Sequence, residues 1–175
     1  MLGLVGFIIA ALVVLAIVLH PGKYSDHGVA FDYPTSWKHG QTQFAAQSGS
    51  AVWSQSFSPG SSSTEGVTVS QYALKADVSS VSPDAVQAEV TALVGNRAQQ
   101  LNGSVVGDLK PAQVGGMQGY EVTINATIEG QALTVDLTLL FKGKTQYNIG
   151  CQATSANQDE ISKGCTQIKN TFVVK

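Results

Sequence analysis

The chain has 175 residues, 43% of them hydrophobic and 13% charged, with a net charge of −2. That length suits one domain with a real core, and the weak, scattered charge argues against a nucleic-acid partner. The densest basic group, Lys142-Gly143-Lys144, is too small to follow a phosphate backbone. Eighteen glycines and abundant Ser, Thr and Gln point to a turn-rich β protein.

Leu2 to Leu19 reads LGLVGFIIAALVVLAIVL, without a charge or a strongly polar side chain. At about 1.5 Å per residue it spans about 27 Å as a helix, close to the thickness of a bilayer core. His20-Pro21-Gly22 then breaks the helix. The pattern predicts a retained single-span anchor over residues 1–22, with the domain proper over 23–175. A cleaved signal peptide is the rival reading. It needs a shorter apolar region, a basic start and a small-x-small cleavage site, and VLHPG is a poor one. Lys23, just past the segment, taken alone favours a cytoplasmic domain, whereas the cysteines discussed below favour the other side.

Outside that segment, Val29, Phe31 and Tyr33 alternate as a short first strand. Pro34 ends it, and Thr35-Ser36-Trp37 reads as a turn. Ala51–Phe57 and Val67–Leu74 are two further strands, joined by a low-complexity loop, Ser58 to Gly66. Ser82-Pro83-Asp84 opens a helix with a cap, a proline in the first turn and an acid at the positive end of the dipole. Its predicted apolar face is Val86, Val90, Leu93, Val94 and Leu101, with Arg97 at the edge. Asn102-Gly103 ends it.

The strongest strand signal follows. Tyr120, Val122, Ile124, Ala126 and Ile128 alternate with Glu121, Thr123, Asn125 and Thr127. After Glu129-Gly130-Gln131, Leu133, Val135, Leu137, Leu139 and Phe141 alternate in turn. This predicts a long antiparallel hairpin with one apolar and one polar face. In TQYNIGCQA, Tyr147, Ile149 and Cys151 share a strand face. The last helix is predicted from an N-cap at Ser155, with Gln158 as its capping-box partner, and carries Ile161, Cys165, Ile168 and Phe172 on one stripe. Strands, helix, strands, helix, with no βαβ repeat, define an α+β fold.

Cys151 and Cys165 thus lie on inward faces of neighbouring elements. Packing the helix back on its strand lets them form a disulfide, closing about 15 residues and adding roughly 3 kcal/mol in the chain-entropy model. The alternative is two buried thiols in a reducing compartment. The bridge implies an oxidising compartment and an extracytoplasmic domain.

The opening FDYPTSW, a strand running into Tyr-Pro and then Trp, resembles the start of PsbP-like domains. The closing order, TQYNIGCQA and then a helix ending in KNTFVV, is similar too. The resemblance covers about residues 24–175 in element order. It extends to DcrB-like lipoproteins, to the nuclear Ran-release factor and to Lpq-type lipoproteins of actinobacterial envelopes. It implies an antiparallel sheet flanked by helices, a PsbP-like sandwich, here preceded by a transmembrane helix instead of a lipidated cysteine. The functions of the family are diverse, so the fold by itself assigns no activity. Phe31, Tyr33, Pro34 and Trp37 are expected to pin the first strand to the core. A Trp37 that touches a ligand is the alternative.

Candidate chemistry is sparse. His27 and His39 flank the first strand near Asp26 and Asp32, but their spacing fits no known metal-ligand pattern. No GxSxG elbow or P-loop occurs, and Gln113-Val114-Gly115-Gly116 lacks the Lys and Ser/Thr of a phosphate cradle. No catalytic residue, metal or cofactor is expected. The expected function is a non-catalytic, membrane-anchored module that binds another envelope protein. The alternative is a small-molecule or lipid binder with a pocket between sheet and helices.

Overall fold

Apolar and polar residues alternate along nearly every strand, and each strand face tells what covers it. In the computed structural model, which describes residues 21–40, 51–60 and 64–175, the elements run β1 (Gly22–Asp26), β2 (Val29–Tyr33), β3 (Trp37–Gly40), β4 (Trp53–Pro59) and β5 (Gly66–Ala73). A short 3₁₀ turn (Val78–Ser80) leads into α1 (Pro83–Gln100). Then come β6 (Ser104–Val114), β7 (Met117–Ile128), β8 (Gln131–Lys142), β9 (Thr145–Ala153), α2 (Gln158–Thr171) and β10 (Val173–Val174). The predicted anchor, Leu2–Leu19, lies outside the described residues, as does part of the Ser58–Gly66 loop. Among the described residues, no helix is long and apolar enough to cross a membrane.

One antiparallel sheet has the order β3-β4-β5-β9-β8-β7-β6, and a smaller one the order β1-β2-β10. The predicted hairpin forms in register, from Gln118↔Phe141 to Ile128↔Gln131. Its turn is Glu129-Gly130, both at positive φ (51° and 79°), the backbone that matches strand twist in a two-residue hairpin. Gly115-Gly116 turns β6 into β7 in the same way (57° and 78°).

Cross-strand rows show how the core is divided. On one sheet face a row runs Phe57, Val67, Cys151, Asp136, Thr123, Val106. The next runs Gln55, Val69, Ile149, Thr138, Glu121, Lys110. Both turn from apolar to polar between β9 and β8. The opposite face reverses this: Ser56, Thr68, Gly150, Leu137, Val122. The sheet is therefore apolar on opposite faces in its two halves, and each half has its own cover. The helix α2 and the small sheet cover one face of β3, β4, β5 and β9, with Phe57, Ile149, Ile161, Ile168 and Phe172 at 1% exposure or less. The helix α1 covers the other face of β6, β7 and β8, through Val90, Val94, Ala98 and Leu101.

Four strands differ from the sequence expectation. β1, β3, β6 and β10 were not expected, because each is short or interrupted. Trp37 was expected in a turn. The turn is Pro34–Ser36, and the Trp37 amide donates to the Pro34 carbonyl at 2.9 Å as β3 begins. In β6, Gly107 and Pro111 hide the pattern. The strand tolerates both because it is the sheet edge, where a missing N–H breaks no ladder, and because its register shifts between Val106 and Lys110.

The helices need smaller corrections. α1 starts as expected, with the Ser82 hydroxyl accepting from the Ala85 amide at 3.3 Å and Pro83 in the first turn. Its buried face is Val90, Val94, Arg97, Ala98 and Leu101, while Leu93 is 38% exposed. α2 starts at Gln158 with Asn157 as N-cap, not Ser155, and the Asn157 side chain bonds to Glu65 instead of capping the helix.

Candidate functional site

The FDYPTSW residues sit in an aromatic layer between the two sheets. Phe31 stacks on Tyr24 and Phe172, with ring centroids 4.9 and 5.8 Å apart. It meets Phe57 edge-on at 5.1 Å. The Tyr33 ring lies 4.9 Å from Phe57, and Trp37 is 4% exposed against Gly164 of α2. Such contacts make these residues packing groups.

Cys151 on β9 and Cys165 on α2 form a disulfide with a Cα separation of 6.0 Å, and each residue is 4% exposed. The bridge fastens the last helix to the central strand.

His27 and His39 are exposed and make local ring contacts. His27 Nδ1 is 3.1 Å from the Tyr24 hydroxyl, and its ring stacks on Trp53 at 5.1 Å. His39 lies edge-on to Tyr33 at 6.0 Å. Among the described residues no group of three or more His, Cys, Asp or Glu is placed to hold a metal ion.

Glu65, at the end of the β4–β5 loop, is a buried carboxylate with a structural task. It accepts from the Thr154 amide (2.8 Å), the Thr154 hydroxyl (2.6 Å) and the Asn157 side-chain amide (2.8 Å). Burial alone would raise its pKa, but these bonds outweigh burial and hold it below the ordinary glutamate value. They fix the β9–α2 connection, and so the position of the disulfide.

The surface with unspent chemistry is the polar half of the sheet face beside α2. There a cavity of about 240 Å³ is lined from β6 (Val106, Asp108, Lys110), β7 (Glu121, Thr123), β8 (Asp136) and α2 (Ser162, Thr166, Lys169), with Cys165 at its inner wall. Lys169 bonds directly to Glu121, which also accepts from Thr138 at 3.0 Å. Burial would push the Glu121 carboxyl up. The Lys169 contact, the Thr138 bond and the more distant Lys110 charge outweigh that and keep it low. Thr123 donates to Asp136 at 2.6 Å. The register shift in β6 comes at Gly107–Leu109, so Asp108 and Lys110 leave a locally kinked strand.

The sequence marks Glu121, Thr123 and Asp136 as the polar face of a hairpin. Nothing local brings Asp108, Lys110 and Lys169 to them.

The wide antiparallel sheet with its two covering helices has a PsbP-like fold. The solution structure of cyanobacterial PsbP (CyanoP) from Synechocystis sp. PCC 6803 is similar with a TM-score of 0.59 at 13% identity, over 88% of this chain and 92% of that one. The crystal structure of LpqN, involved in cell envelope biogenesis of Mycobacterium tuberculosis, gives 0.53 at 13% identity, over 89% and 90%. A crystal structure from Bacteroides thetaiotaomicron VPI-5482 gives 0.57 at 16% identity over 90% of this chain, which spans 49% of that chain's length. At these identities the likeness is one of fold. No family model and no curated protein matches the chain.

Proposed function

We propose that the protein is an extracytoplasmic, non-catalytic binding module of the cell envelope, held at the membrane by Leu2–Leu19, that engages another envelope protein. The observation that carries this reading is the Cys151–Cys165 bridge, because a buried disulfide in a domain of this size belongs to an oxidising compartment. The likeness to LpqN, a protein involved in cell envelope biogenesis, supports the same setting. The side chains around the cavity are largely engaged with one another, Thr123 with Asp136 and Lys169 with Glu121, which suits a recognition surface better than a reaction centre.

The alternative is a small-molecule or lipid pocket between sheet and helices, a reading suggested by the apolar hairpin face. That face is filled: Val122, Ile124, Val135, Leu137 and Leu139 are 6% exposed or less beneath α1. The proposal is tested by crosslinking in intact membranes of the host, followed by mass analysis without reductant. A reproducible protein partner and a bridged chain are expected. Free thiols in chain isolated from the host, or no reproducible partner, would sink the reading.

A further inference from the structure

We draw no further inference here: the strongest candidate, the exposed edge strand β6 with Val105 and Val106 on its two faces, carries nothing, because nothing in the structure shows what covers it and the positive-φ Gly107, the register shift and Pro111 interrupt it as a template for strand addition.

Discussion

The indole of Trp37, at the start of β3, packs so closely on Gly164 in the middle of α2 that a methyl group on residue 164 has no room beside the ring. The contact holds the last helix over the first part of the large sheet, across more than a hundred residues of chain.

Gly164→Ala is therefore expected to destabilise the domain by about 1–3 kcal/mol, the usual cost of overpacking. Gly95→Ala on α1 is the control. A methyl group there would meet nothing within 4 Å beyond its own stretch of helix, so the substitution should stabilise by about 0.5–1 kcal/mol through helix propensity alone. Urea unfolding of the two variants measures both. Equal effects would mean that the ring does not constrain residue 164.

Leu93 and Val94 are neighbours with opposite roles. Val94 is 1% exposed over the hairpin, and Leu93 is 38% exposed. Val94→Ala should cost about 2 kcal/mol, and Leu93→Ala no more than about 0.5 kcal/mol. Thermal melts of the pair distinguish this burial from the all-apolar stripe that the sequence predicts.

Reduction of Cys151–Cys165 should lower stability by about 3 kcal/mol, from the freedom returned to the unfolded loop. Cys151→Ser with Cys165→Ser should match the reduced protein, apart from the cost of two buried hydroxyls. A melting temperature unmoved by reductant would show that the bridge adds no stability.

Acid should act through Glu65 and Glu121. Both carboxyls are held below the ordinary value of 4.5 in the folded state. A depressed folded pKa stabilises fully above the unfolded value, and the contribution is lost as pH falls through the folded one. Stability should thus be level near neutrality and decline below about pH 4.5. Glu65→Gln should cost about 1–3 kcal/mol near neutral pH, and the gap to the parent protein should close in acid. A gap that stays constant down to about pH 2 would remove Glu65 from the acid response.

Local sequence determined a good deal. The β7–β8 hairpin is written in twelve-residue alternation around Glu129-Gly130, and its register follows from that turn. The start of α1 is written in Ser82-Pro83-Asp84. The inward faces of Cys151 and Cys165 follow from periods of 2 and 3.6, and so did their pairing once the helix folded back. These are properties of a few adjacent residues, fixed by backbone geometry and side-chain direction.

The order of the strands is of another kind. β9 enters between β5 and β8, pairing Val67 with Cys151 on one side and Cys151 with Asp136 on the other. That insertion puts an apolar strand face beside a polar one and so splits the core between two faces of one sheet. Alternation says which residues share a face, but not which strand lies next to it, because partners are chosen by hydrogen bonding and burial among segments far apart in the chain. Only the folded chain, by that choice, brings Lys169 from α2 to Glu121 and sets Asp108 and Asp136 around one cavity.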